Sequence, residues 1–250
     1  MNNVGRLRLV PLTLYAGAGT APLRVSWFVC RRGEVTPPVI RFVFIILHFE
    51  FCILHLRSVH GTHTGVFMKL VDQLKSFVPF DEKERADLSA FLDFIKNNEN
   101  CLSRENTAGH ITASAWIVNE DKSRVLFCYH NIYDSWSWVG GHADGEEELL
   151  SVALREAKEE TGADVRPLLE DIFSLEILPV AGHMKKGKYV PSHIHYNVTY
   201  LVTADENERL TVAEEENSAV GWIDIKEISE KSTEKWMVEN VYNKLIDKLK

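Results

Sequence analysis

From Met68 onward the apolar residues recur at periods that define structural elements, whereas residues 1–67 show neither a helical nor a strand period. Leu70, Val71, Leu74 and Phe77 lie at helical spacing and predict a helix over 69–77. Pro79 separates it from a second helix over 81–97, with Asp81 as N-cap and Glu84 three residues on. Ile111, Ala113, Ala115 and Ile117 alternate, which predicts a strand over 110–119. After a polar turn, 124–130 is the partner strand. A helix over 146–161 follows, and Gly162 stands where a left-handed C-cap belongs. Segments 172–180 and 193–202 are expected to pair as a hairpin, 220–225 as a further strand, and 232–250 as a closing helix with Met237, Val241, Leu245 and Leu249 on one face. Strands on both sides of a central helix, with helices at the ends, predict an α/β fold with a mixed β-sheet flanked by helices.

Charge usage divides the chain at the same place. Residues 1–67 hold seven Arg, no Lys and two Glu, a formal charge of +5, whereas 68–250 hold 21 basic and 34 acidic side chains, leaving −13. We read 1–67 as a non-native or disordered extension, with Met68 as the expected true start, 68–105 as N-terminal helices and 106–250 as the catalytic domain. The apolar run 39–56 is a poor membrane anchor. Arg41, His48, Glu50 and His55 interrupt it, and a charge at a span's centre costs roughly 2.5–3.5 kcal/mol. Overall composition, 45% hydrophobic and 26% charged, is that of a globular protein, and a net charge of −8 argues against general nucleic-acid binding through a basic surface. Cys30, Cys52, Cys101 and Cys128 lack the close spacing of a zinc or redox motif and read as reduced, buried thiols of a cytoplasmic protein.

The chemistry concentrates in 141–163. Glu156, Glu159 and Glu160 stand at i, i+3 and i+4 and so rise from one helix face. Like charges at that spacing repel. A hard cation between them offsets the repulsion, and an oxygen-rich set of this kind suits Mg²⁺ or Mn²⁺. Arg155 follows Glu147 by about two helical turns, within reach of that carboxylate. A merely solvated acidic helix would not need two glycines and an arginine at fixed offsets.

Gly141, Glu147, Arg155, Glu156, Ala157, Glu159, Glu160, Gly162 and Ala163 follow a pattern. It is Gly, five residues, Glu, seven residues, Arg-Glu, aliphatic, any residue, Glu-Glu, any residue, Gly, aliphatic. This resembles the Nudix box, the signature of hydrolases that cleave nucleoside diphosphates linked to another group. Ala163 departs from the larger aliphatic usual there. The resemblance covers roughly 110–230 and implies an α/β/α sandwich. It also implies catalytic and metal-binding roles for Glu156, Glu159 and Glu160, a metal contact from the Gly141 carbonyl, and a structural ion pair of Glu147 with Arg155. A phosphate contact is the alternative role for Arg155. Within the family a later acidic residue often completes the site. Of Glu214, Glu215 and Glu216 we select Glu216, the alternative being a solvated acidic loop.

His183, His193 and His195 form a second group, and alternation puts His193 and His195 on one strand face. They read as substrate contacts or as ordinary hydrogen-bonded histidines, since zinc would need further ligands. Tyr133, Trp136 and Trp138 could stack a base or serve the core. The expected substrate is a small nucleotide: ADP-ribose-like, for which Pro179 is a weak family pointer, or a sugar nucleotide, dinucleotide or nucleoside triphosphate. No membrane is expected, and a homodimer is compatible with the chain. Two rival readings are a nucleotide-binding regulatory module on the same fold and an isomerase of isopentenyl-diphosphate type. The latter lacks a cysteine ahead of a substrate-facing loop, because Cys128 falls inside a predicted strand.

Overall fold

The structure is a computed structural model, and the residues it describes are 12–14, 23–25, 64–185 and 187–250. The chain divides into two units, 1–61 and 62–250. In the first, β1 (Leu12–Leu14) and β2 (Leu23–Val25) pair antiparallel. The apolar run 39–56, Cys30 and Cys52 lie outside the described residues.

The second unit opens with α1 (Thr64–Ser76) and α2 (Glu82–Asn97). Helix α1 begins five residues ahead of the expected start. Asp81 caps α2 by accepting the Glu84 N–H at 2.7 Å, while the Glu84 carboxylate reaches back to the Phe80 N–H at 2.6 Å.

An eight-stranded mixed sheet follows. It contains β3 (Gly109–Val118), β4 (Arg124–His130), β5 (Ser135–Ser137), β6 (Val139–His142), β7 (Arg166–Pro167), β8 (Ser174–Val180), β11 (His193–Thr203) and β12 (Asn217–Asp224). A separate hairpin, β9 (His183–Lys185) with β10 (Lys188–Val190), interrupts the connection from β8 to β11. Strands β8 and β11 are antiparallel, as their patterns predict. The long central contact is different in kind: β3 and β11 run parallel, in register from Gly109↔Ile194 to Val118↔Thr203.

Strand β3 is buried along its whole length, so its two faces feed two cores. Ile111, Ala113, Ala115 and Ile117 face the helices α1, α2 and α3 (Leu149–Thr161). Trp116 and Val118 join Val125, Phe127, Val241 and Leu245 under the C-terminal helical segment. The result is the α/β/α layering expected from the sequence.

Two elements differ from expectation. Helix α3 runs Leu149–Thr161 rather than from 146. Asp144 (φ 49°) and Gly145 (φ 91°) turn the chain left-handed, and the Gly145 N–H bonds the Leu102 carbonyl, so 146–148 stay in the loop. The closing helix is segmented into α4 (Ile228–Lys231), α5 (Lys235–Met237), a π-helical turn (Val238–Tyr242) and α6 (Asn243–Lys248). Extended Ser232 breaks the segment at its start. The wider turn lets Val238, Val241 and Tyr242 all bury, with the Tyr242 ring 5.8 Å from Trp116 and 5.2 Å from Phe127.

A buried ionic network joins the first helices to the last. The Lys244 Nζ lies 3.3 Å from Glu84 and 3.0 Å from Glu176 and donates to the Leu175 carbonyl at 2.7 Å. Lys248 also reaches Glu84, at 2.9 Å. Burial alone would raise the Glu84 pKa, but Lys244, the Phe80 N–H and Lys248 bring it down to about 2. Cys101 and Cys128 are free and buried, and burial pushes both thiols upward, Cys101 to about 11. Cys128 is therefore no nucleophile, against the isomerase reading.

Candidate active site

Helix α3 packs Leu149, Val152, Ala153 and Ala157 against the sheet and turns Arg155, Glu156, Glu159 and Glu160 toward its other sides. The small Ala153 and Ala157 let the helix lie close. Gly162, in the left-handed region at φ 71°, ends it by donating to the Lys158 carbonyl at 2.9 Å.

Strand β6 brings Gly141 of the box and its neighbour Gly140 under this helix. The Gly140 N–H donates to Glu160 Oε1 at 3.1 Å, and a Cβ on Gly141 would collide with the Glu156 carboxylate. From the opposite edge, Asn217 of β12 donates to Glu160 Oε2 at 2.9 Å. Glu160 is thus held at both oxygens, yet burial raises its pKa to about 7, with Glu156 and Glu216 adding to the rise. Burial raises Glu156 as well. Glu159 is open, its side chain 60% exposed, and so faces the approach.

Arg155 lies 2.7 Å from Glu156, 3.5 Å from Glu159 and 4.0 Å from Glu146. Glu147 lines a cavity with Lys69, Gln73 and Tyr200. Glu216 directly precedes Asn217, on the loop before β12, and pairs with Lys185 at 3.3 Å. Glu214 and Glu215 lie on the exposed loop beside it.

The aromatic candidates separate. Trp136 and Trp138 are half-buried and pack against the core under the C-terminal segment, with Trp138 5.9 Å from the Tyr242 ring. Tyr133 is exposed and tilts on His130 at 4.5 Å. His193 and His195 meet at 3.0 Å between Nε2 atoms, while His183 bonds the Ala181 carbonyl and stands apart from the strand pair. Pro179 is exposed on β8, where a missing N–H is harmless.

Sequence reasoning missed Asn217, Lys185, His130 and the histidines His110 and His142. Asn217 alone left a signal, as a polar residue directly after three glutamates and ahead of a strand. Its Oδ1 is buried with no donor among the described residues. An orphaned acceptor, two Cβ-free backbone positions and all-oxygen donors suit a hydrated hard cation such as Mg²⁺ or Mn²⁺.

The NUDIX domain model matches residues 109–245, more than half of the chain. The chain belongs to the Nudix family. Its Nudix domain takes in the sheet from β3, the box helix and most of the C-terminal segment. Among curated proteins it resembles a probable DHNTP pyrophosphohydrolase of Lactococcus lactis, 26% identical over 142 residues, 56% of this chain and 80% of that protein. It also resembles the m7GpppN-mRNA hydrolase NUDT17 of Xenopus laevis, 32% identical over 109 residues, 41% of this chain but 35% of that longer protein. Among solved structures, the E. coli dihydroneopterin triphosphate pyrophosphohydrolase covers 54% of this chain and 95% of its own, at 17% identity and a TM-score of 0.40. This Nudix protein is a hydrolase.

Proposed function

We propose that this Nudix protein is a Mg²⁺- or Mn²⁺-dependent pyrophosphohydrolase. Water attacks one phosphorus of a heterocycle-bearing polyphosphate, and the products are a nucleotide and a second phosphorylated fragment. Relatives named for a pterin triphosphate and for an mRNA cap favour a purine-like heterocycle on a chain of phosphates over a sugar nucleotide. The observation that carries the reading is Glu160. A chain keeps a buried carboxylate at a raised pKa, braced by Gly140 and Asn217, where a cation supplies the missing charge.

Glu156, Glu159, Glu160 and the Gly141 carbonyl would hold the cation, which when bound neutralises phosphate charge and acidifies the attacking water. The remaining residues position. Arg155 screens Glu156 and Glu159 from each other, and with Glu147 it frames the entry to the box helix. Glu216 is the acid that completes the site from the β12 side. Exposed Tyr133 on His130 offers the heterocycle a stacking face.

The test is a panel of pterin and nucleoside triphosphates, dinucleoside polyphosphates, cap analogues, ADP-ribose and sugar nucleotides, with nucleotide and phosphate detection. Turnover should need Mg²⁺ or Mn²⁺. Glu159→Gln removes several kcal/mol of charge stabilisation and should cost on the order of 10²–10³ in rate, with the fold unchanged by circular dichroism. Binding of these compounds without turnover under any divalent cation would instead make the protein a regulatory nucleotide-binding module.

A further inference from the structure

Four histidines converge on one face of the sheet, at the ends of three strands. His110 and His195 are register partners on the parallel β3 and β11, His193 stands two residues before His195 on the same face, and His142 of β6 sits opposite Thr112. Alternation directs His142 away from the box helix, because its neighbour Gly141 faces Glu156. The His110 ring lies 5.0 Å from His193, 4.9 Å from His195 and 4.9 Å from His142.

We propose that His110, His193 and His195 form a second metal site, separate from the box glutamates, which takes one divalent transition-metal ion of zinc type on three imidazole nitrogens, with water completing the tetrahedron.

Tautomers prepare two of the ligands. His110 Nδ1 faces the Asn106 carbonyl at 3.1 Å, and His193 Nδ1 faces the Pro191 carbonyl at 2.9 Å. A carbonyl only accepts, so both protons sit on Nδ1 and both Nε2 atoms carry a bare lone pair. Anchoring of one ring nitrogen on a carbonyl is how metal-binding histidines are commonly oriented. His110 is 3% exposed and its Nε2 is buried with no hydrogen-bond partner among the described residues, a cost that a Lewis acid accepting its lone pair would remove.

The three ligand atoms lie within 4.8 Å of one another. Zinc–nitrogen bonds of about 2.0–2.1 Å ask for N···N separations of about 3.4 Å, so the widest pair must close by at most about 1.4 Å, within reach of small χ changes. The His193–His195 pair is already at 3.0 Å. On binding, His195 changes tautomer: Nε2 gives up the proton it shares in this contact to solvent and Nδ1 takes one up, so that zinc receives the Nε2 lone pair of a neutral imidazole.

The donor set favours a transition metal over Mg²⁺, because the three ligand atoms are all imidazole nitrogens and no carboxylate joins the group.

The decisive experiment uses the full chain, stripped with chelator and then titrated with Zn²⁺ under saturating Mg²⁺, by calorimetry and by competition with a chromophoric chelator. One equivalent of Zn²⁺ should bind and raise the melting temperature. Co²⁺ in its place should give the strong visible bands of a tetrahedral nitrogen-rich site. The paired change His110→Gln with His193→Gln should abolish binding. Single His195→Gln should weaken it at least tenfold, while Glu159→Gln leaves it intact. The proposal fails if the wild-type protein binds no Zn²⁺ beyond the box site or gives an octahedral Co²⁺ spectrum. It also fails if Zn²⁺ binding survives the histidine changes but is lost in Glu159→Gln. None of these readouts depends on turnover, so the hydrolase reading stands or falls separately.

Discussion

At the scale of single residues, three carboxylates with similar sequence neighbours acquire different characters. Glu159 is open to solvent, Glu156 is half-shielded against Gly141, and Glu160 is enclosed between β6 and β12. A pKa of about 7 means that Glu160 is half-protonated near neutrality and must lose that proton to ligate a cation. Mg²⁺ affinity should therefore rise with pH through the region around 7 and fall below it. Calorimetric titration of Mg²⁺ from pH 5.5 to 8.5 would show this, with one proton released per ion on the acid side. A flat profile would remove Glu160 from the ligand set. Asn217 belongs to the same scale. Its amide donates to Glu160 while its oxygen has no donor among the described residues, a pairing that no sequence period announces.

Among elements, the box helix is the one whose ends matter most. Its start is set by the Asp144–Gly145 turn and the Arg104–Asp144 ion pair, its end by Gly162. Gly162→Ala would force an L side chain to φ 71° and press a Cβ onto Thr211 at 2.9 Å. The left-handed penalty alone is about 1–2 kcal/mol. The melting temperature should then drop by roughly 2–8 °C. If thermal unfolding is unchanged, the helix does not depend on this cap. Turnover should suffer less than stability, because the glutamates lie a turn or less away but remain on the same face. The segmented C-terminal helix shows the opposite balance. The π turn keeps its own backbone bond, from the Asn243 N–H to the Val238 carbonyl, and brings Tyr242 into the core with Trp116, Phe127 and Trp138.

For the molecule as a whole, Glu84, Glu176, Lys244 and Lys248 tie the first helices, the sheet and the last helix together without exposure. Removing one member leaves a buried charge uncompensated, and Lys244→Met should cost about 3–5 kcal/mol in urea unfolding. The sign of the pH effect follows from Glu84. Its folded pKa of about 2 lies below its ordinary 4.5, so its contribution is present above about pH 4.5 and is lost as pH falls toward 2. Acid unfolding of Glu84→Gln should accordingly be shallower than that of the unaltered protein between pH 4.5 and 2. The two-unit division supports a further expectation. A chain beginning at Met68 should fold and hydrolyse as the full chain does, although it lacks 64–67 of α1. Calorimetric unfolding and turnover of the two forms, side by side, decide it; a lower melting temperature for the shorter form would give 1–67 a structural role.

Periodicity and local chemistry were enough for α2 with its Asp81–Glu84 cap, for strands β3, β4, β8 and β11, for the box helix with its Gly162 end, and for the acidic face of that helix, because each rests on interactions within a few residues. The acidic run 214–216 ahead of a strand was legible too, but the pairing of Glu216 with Lys185 was not. The parallel pairing of β3 with β11, the buried Glu84–Lys244 network, the Asn217 brace on Glu160 and the meeting of His110 and His142 with His193 and His195 were decided by tertiary structure alone. They join residues many tens of positions apart, and a lone histidine, asparagine or lysine carries no period to show which strand will lie beside it. The raised pKa of Glu160 belongs with them. Sequence supplies a carboxylate, but only the fold removes its water.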